Sequence, residues 1–107
     1  MGRDLSALLQ RIRNQLDVRG ADPAKPLLTE MEHTLTDGYA RALELEAERL
    51  RLERRIGELA HSLDGPDEAK ELRRLAIDLR RIDEILAGLR GELAALQQHV
   101  DEARAAA

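Results

Sequence analysis

Apolar residues recur every three or four positions along the last third of the chain. The series is Leu72, Leu75, Leu79, Ile82, Leu86, Leu89, Leu93, Leu96, Val100 and Ala103. This alternation keeps one side of an α-helix apolar. A repeat of about 3.5 residues kept for about five heptads is typical of a coiled-coil seam. The pattern predicts a long helix that frays near Ala105.

The preceding segment carries a matching repeat. Its members are Leu28, Met31, Leu35, Gly38, Ala42, Leu45, Arg49, Leu52, Ile56, Leu59 and Leu63. Thr29, with Glu32 three residues later, forms a capping box that predicts the start of the helix. Gly65 can close this helix in a left-handed conformation, and Pro66 suits the first turn of the next one. We therefore predict an antiparallel hairpin over residues 29–107 with a tight turn at 64–66.

One register aligns the two seams along their whole length. Leu59 is then opposite Leu72, and Met31 is opposite Val100. The register also places Gly38 opposite Leu93, and because the repeat continues across Gly38, we expect an unbroken helix there.

Arg49 is the charged residue of the seam, opposite Ile82. Its long side chain can extend out of the seam towards solvent and towards Glu53, Asp78 or Asp83. Alternatively, Arg49 forms a polar layer that fixes the register at a cost in stability. The sequence leaves both interpretations open.

A short amphipathic helix is predicted within residues 1–20. Its apolar positions are Leu5, Leu8, Leu9, Ile12 and Leu16. A helix of this length is not stable alone, so it must pack against something. Residues 21–28 contain two prolines and are predicted to form a linker.

The composition favours an all-α fold. Ala, Glu, Leu and Arg dominate, while the chain has one Tyr and neither Phe nor Trp. Such a mixture is typical of long helices and coiled coils, and it also resembles that of bacterial proteins. The predicted architecture is a long antiparallel coiled-coil hairpin preceded by a short helix, as a three-helix bundle or a dimeric four-helix-type bundle.

A second apolar stripe lies outside the seam of the second helix. It consists of Tyr39, Leu43, Ala47 and Leu50, and Ile85 is a further apolar residue on the third helix. An exposed apolar stripe needs a cover. The cover is either the first helix, docked in cis or swapped between chains, or a second copy of the protein. We predict a homodimer with an interface at Tyr39, Leu43, Leu50 and Ile85.

Charge and residue types argue against several classes of function. The net charge is -4, with acids and bases interspersed, and cysteine is absent. These features predict no nucleic-acid partner and no thiolate chemistry. The chain has no apolar run of about 18 residues and no apolar N-terminal leader, so we expect a cytoplasmic protein without a membrane partner.

The sequence offers no convincing site for catalysis, a cofactor or a metal. Glu30 and His33 have the E-x-x-H spacing of di-iron bundles, but both point away from the seam. His61 and His99 are predicted near opposite ends of the hairpin, and neither serine has a paired base and acid. We therefore expect no catalytic, cofactor-binding or metal-binding residues and no enzymatic activity.

The predicted turn has an acidic motif, Asp64-Gly65-Pro66-Asp67-Glu68-Ala69. This D-x-x-D-x-A pattern is similar to the coiled-coil tip of DksA-type factors, which enter the secondary channel of RNA polymerase. The resemblance implies that Asp64, Asp67 and Ala69 contact the polymerase. It covers these six residues, and the zinc-finger cysteines of that family are absent from this chain.

The leading functional hypothesis is a non-enzymatic coiled-coil interaction or scaffold protein that self-associates through its helical faces. One alternative is a regulator that inserts its acidic tip into a larger machine such as RNA polymerase. A third is an oligomeric di-iron protein built from four-helix bundles.

Overall fold

A computed structural model of the chain describes residues 2–16, 25–62 and 64–106. It contains α1 (Gly2–Leu16), α2 (Lys25–His61) and α3 (Pro66–Ala106). Every described residue except Ser62, Asp64 and Gly65 is helical, so this part of the chain has no strand. The all-α prediction is confirmed.

Helix α2 begins at Lys25, earlier than the start that the capping box at Thr29 predicts. Pro26 is compatible with this because a proline in the first helical turn gives up an N–H that has no helical acceptor there. Residues 25–28 therefore belong to α2 rather than to the predicted linker, whose remaining residues, 21–24, lie outside the described residues.

The turn between α2 and α3 uses its residues differently from the prediction. The Ser62 hydroxyl donates to the Glu58 carbonyl at 3.0 Å, which satisfies one of the last carbonyls of α2. The Gly65 carbonyl accepts the Ala69 N–H at 3.2 Å, so Gly65 precedes the first turn of α3. Gly65 does not have the predicted left-handed conformation. The reason is that α2 ends at His61, too far back for Gly65 to close it.

The chain divides into two compact units, and the first contains Met1–Ala42 and Gly88–Ala107. In this unit α2 and α3 run antiparallel, because Glu32 pairs with Arg104 at 3.2 Å and the later Tyr39 meets the earlier Gln97. Helix α1 packs against both helices to make a three-helix bundle. Its core consists of Leu5, Leu8, Ile12, Met31, Leu35, Ala42, Leu89, Leu93, Leu96 and Val100.

The second unit, Leu43–Ala87, contains the rest of α2, the turn and the start of α3. Here too the helices are antiparallel, since Arg49 pairs with Asp83 and Arg55 with Glu71. The buried apolar residues are Leu45, Leu59, Leu75, Ile82 and Leu86. Other seam residues, Leu52, Ile56, Leu72 and Leu79, are only half-buried. This unit has no third helix among its described residues, so its seam stays partly accessible.

The predicted seams coincide with the buried surface of both helices. Every seam residue whose side chain is described is buried or half-buried. Among the residues whose side chains are described, the four large apolar residues that remain exposed all lie outside the seams: Tyr39, Leu43, Leu50 and Ile77. The hydrophobic periodicity therefore identifies the core correctly.

Gly38 lies within continuous α2, as predicted, and faces Leu93. A Cβ atom added at Gly38 would lie 3.3 Å from Leu93 Cγ and closer still to Cδ2. Leu93 is only 1% exposed and has little room to move. At Gly57, by contrast, an added Cβ would meet nothing within 4 Å. The absence of a side chain at Gly38 thus lets the two helices approach closely.

We expect Gly38→Ala to lower the free energy of unfolding by about 1 kcal/mol. Overpacking against Leu93 costs about 1–3 kcal/mol, and the better helix propensity of alanine recovers up to about 1 kcal/mol. Gly57→Ala is the matched control, because it gains the propensity without a clash and should raise stability. Urea denaturation followed by circular dichroism measures both changes. Equal stabilisation of the two variants would contradict the close approach at Gly38.

Candidate functional site

The most exposed leucines of the described chain are Leu43 and Leu50 of α2, in the second unit. They are 66% and 52% exposed. Their spacing of seven residues puts both on one side of α2, and Ala47 between them is also exposed. We call Leu43, Ala47 and Leu50 the leucine patch. Single exposed leucines are common on proteins, but two that share a helix face with a small residue between them form a surface suited to helix packing.

Tyr39, the first residue of the predicted apolar stripe, lies in the first unit. Its ring is 45% exposed, and its hydroxyl donates a long hydrogen bond of 3.4 Å to Gln97 Oε1. Helix α1 packs in cis but does not cover Tyr39, because α1 contacts α2 at Thr34 and Asp37. Thr34 and Tyr39 differ by about 140° around the helix. Of the two covers that the sequence allows for the apolar stripe, helix α1 is therefore not the one at Tyr39.

The exposure of two isoleucines of α3 differs from what the sequence predicts. Ile85, assigned to the interface, is half-buried and offers less free surface than Leu43 or Leu50. Ile77, which the interface prediction left out, is 60% exposed. It lies outside the seam repeat, and that spacing is the signal that could have identified it.

A buried polar cluster joins α1 to α2 at Thr34, which is 1% exposed. The Thr34 hydroxyl donates to the Glu30 carbonyl at 2.9 Å and accepts from Arg11 Nε and Gln15 Nε2, both at 3.0 Å. One donated and two accepted bonds use the full capacity of a hydroxyl. Thr34 is therefore a fixed attachment point for α1.

The bonding of Thr34 also fixes the orientation of the Gln15 amide. Because the single hydroxyl hydrogen goes to Glu30, Gln15 must present its NH₂ group to Thr34. Its Oε1 atom is then buried without a hydrogen-bond partner. Such an atom costs about 1–3 kcal/mol, so the cluster fixes the position of α1 more than it adds stability.

The sequence contained an overlooked signal for this cluster. Leu5, Leu8, Ile12 and Gln15 follow one three-four repeat, so Gln15 occupies the next position on the buried side of α1. An amide at that position needs a buried partner on the opposing helix. Thr34 could not be identified in the same way, because it adjoins the seam without belonging to its repeat.

An open groove of about 360 Å³ runs beside the cluster, and the E-x-x-H residues Glu30 and His33 lie on it. Its lining is Arg11, Gln15, Glu30, His33, Thr34 and Asp37. Arg11 Nη2 lies 2.6 Å from Asp37 Oδ2, so one of the two acidic side chains is already paired. Within the described ranges, no group of three or more histidine, cysteine or acidic side chains is arranged to hold a metal ion.

Arg49 extends from the seam into an ion-pair cluster. Its Nε atom lies 2.8 Å from Asp83 Oδ1 and 3.2 Å from Glu53 Oε1, with 42% of the side chain exposed. The N–H is not aligned for a hydrogen bond with either carboxylate. Such half-exposed pairs contribute about 0–1 kcal/mol. The geometry fits a side chain that reaches out of the seam, and a role in fixing the register stays a prediction.

At the turn, the three acidic residues have different environments. Glu68 Oε2 accepts the Asp64 backbone N–H at 2.7 Å and so links the turn to the first turn of α3. The side chains of Asp64 and Asp67 are exposed, whereas Ala69 is half-buried. The two exposed carboxylates are accessible to a partner, but contact with a polymerase stays a prediction.

Comparisons with known proteins give no relative from which a function could be transferred. No family model matches the chain, and neither the curated proteins nor the solved structures contain a significant match. Among the described helices, none combines the length and the apolar character that crossing a bilayer requires. The functional argument therefore depends on the chain's own surfaces.

Replacing the Thr34 hydroxyl should loosen α1. Thr34→Val keeps the shape but leaves Arg11 Nε and Gln15 Nε2 without an acceptor, so we expect a loss of about 1–3 kcal/mol in the free energy of unfolding. Thr36→Val is the control, because its hydroxyl bonds to the Glu32 carbonyl in the same way but is exposed. It should change stability by less than about 0.5 kcal/mol. Thermal or urea unfolding measures both, and equal effects would show that the cluster has no special role.

Proposed function

We propose that this protein is a non-enzymatic helical scaffold that self-associates, as a homodimer, through the leucine patch. The exposure of Leu43 and Leu50 is the observation that carries the proposal. The patch lies on the side of α2 that faces away from the seam, and no helix of the described second unit covers it. A second copy would cover it without requiring any other partner.

A two-fold arrangement suits the spacing of the patch. If α2 packs antiparallel on the α2 of a second copy, Leu43 meets the partner's Leu50 and Ala47 lies near the two-fold axis. The small side chain of Ala47 permits close approach of the helices. Two hairpins joined in this way form a four-helix-type bundle with coiled-coil-like packing, and the interface is the same surface on both copies.

The strength of this association can be bounded. Full burial of a leucine contributes about 1.5–3 kcal/mol, and the two patch leucines are roughly half-exposed in the single chain. Four such leucines in a dimer would add roughly 3–7 kcal/mol before the entropic cost of association. We therefore expect a reversible dimer whose population depends on concentration.

Light scattering over a range of protein concentrations tests the proposal. The wild-type mass should rise with concentration from 12.0 kDa towards twice that value. Leu43→Ala with Leu50→Ala should keep the mass near that of one chain at concentrations where the wild type is dimeric. Ile77→Ala is the matched control, because it removes an equally exposed apolar side chain from α3, and it should not change the mass.

Two outcomes would contradict the proposal. A wild-type protein that stays monomeric at all concentrations would show that the patch does not drive self-association. A dimer that survives the double leucine substitution but dissociates on Ile77→Ala would place the interface on α3. Circular dichroism of each variant confirms that the helices remain folded.

A further inference from the structure

A separate surface of the second unit is strongly basic. Between residues 70 and 81, α3 carries five positively charged side chains, all exposed: Lys70, Arg73, Arg74, Arg80 and Arg81. Ile77, which is 60% exposed, lies in their midst. We call these five residues with Ile77 the basic ridge.

The charges are mixed along the sequence but separated around the helix. At about 100° per residue, all five basic residues fall within about 60° of the direction of Ile77. The acidic residues of the same stretch, Glu71 and Asp78, lie about 100° or more away from Ile77. The ridge is about 17 Å long at about 1.5 Å per residue. Glu84 lies on the same side of α3 as the ridge and marks the C-terminal end of the ridge.

None of the five basic residues of the ridge forms an ion pair within the described part of the chain. Five arginines elsewhere in the described residues do form ion pairs: Arg11 with Asp37, Arg13 with Glu92, Arg49 with Asp83, Arg55 with Glu71 and Arg104 with Glu32. The exposed Arg51 and Arg54 of α2 resemble the ridge in having none among these residues. Within the ridge, Lys70 and Arg74 are four residues apart, a spacing at which like charges repel and oppose helix formation. The five positive charges of the ridge are therefore not occupied by ion pairs within the described residues.

We propose that the basic ridge binds an acidic amphipathic helix of a partner protein. Four of its five basic residues are arginines, whose planar guanidinium groups form paired hydrogen bonds with carboxylates. Ile77 at the centre provides an apolar contact that a helix can match with an apolar side chain between its acids. The partner helix would carry carboxylates at i, i+3 or i+4, and i+7 over about twelve residues, which matches the length of the ridge.

Three features favour a protein helix over a nucleic acid. The phosphate groups that a duplex presents to basic side chains offer Ile77 no apolar contact. The ridge has no aromatic side chain on which unpaired bases could stack. The net charge of the whole chain is -4, which weakens its attraction to a long polyanion. The ridge lies on α3 and the leucine patch on α2, so this proposal does not require self-association.

Fluorescence anisotropy with three labelled probes tests the proposal. The first is a helical peptide with glutamates on one face around a central leucine, and the second has the same composition with the glutamates spread around the helix. The third is a DNA duplex of similar length. We expect the first peptide to bind most tightly, and Ile77→Ala should weaken its binding without affecting any residual binding of the duplex.

Charge-neutral variants show whether the ridge is responsible. Arg73→Gln with Arg81→Gln should weaken binding of the first peptide by about tenfold or more, because each substitution removes a charge-assisted hydrogen bond. Arg51→Gln with Arg54→Gln is the control. It removes the same number of charges, from two exposed arginines of α2 in the same unit. It should change the affinity for the first peptide by less than about threefold, which is the effect of the lower overall charge alone.

Four results would overturn the proposal. The first is equal binding of the two peptides, which would mean that only net charge is recognised. The second is tighter binding of the duplex that is lost in the ridge variant, which would make the ridge a nucleic-acid surface. The third is an equal loss of binding in the ridge and control variants. The fourth is no binding of any probe.

Discussion

The apolar seam between α2 and α3 is the contact on which the rest of the structure depends. A pair of helices has only one such seam, so its core is a single layer of side chains. In the first unit, α1 adds another helical surface, and Leu89, Leu93, Leu96 and Val100 are at most 1% exposed. In the second unit, Leu52 and Leu79 of the same seams remain half-buried. The amount of buried apolar surface thus depends on whether a third helix is present, and the leucine patch lies where it is missing.

The buried polar cluster at Thr34 positions α1 on α2. The Thr34 hydroxyl makes three hydrogen bonds, to Glu30, Arg11 and Gln15. As a consequence, the amide oxygen of Gln15 is buried without a hydrogen-bond partner. We expect burial of a polar cluster of this kind to favour one register of α1 on α2, because any other register would leave buried polar groups without partners. The outer faces of the helices differ from this buried cluster, because they carry exposed charged side chains. Some of their charges form ion pairs, whereas the five basic side chains of the basic ridge form none within the described residues.

Much of the fold could be predicted because heptad spacing encodes one face of each helix directly. The positions of Leu35, Leu96 and the other seam residues followed from the repeat, and so did the opposition of Gly38 and Leu93. The docking position of α1 did not follow, because the amphipathic pattern of a short helix identifies its buried side but not the surface that receives it. The leucine patch was visible as a second stripe. The basic ridge was missed because alternating charges along the sequence become separated only when they are placed around a helix.

The distance between α2 and α3 is the most direct test of the seam. The chain contains no cysteine, so single cysteines can be introduced at Thr36 and Ala94, two exposed sites of the first unit. Spin labels on these cysteines allow the distance to be measured by pulsed electron–electron double resonance. Dilution with unlabelled protein restricts the signal to pairs within one chain. Antiparallel packing with helix axes 8–10 Å apart predicts a narrow distribution below about 25 Å. A distance near 87 Å, about 1.5 Å for each intervening residue of one unbroken helix, or a signal that disappears on dilution, would contradict the pairing of the two seams.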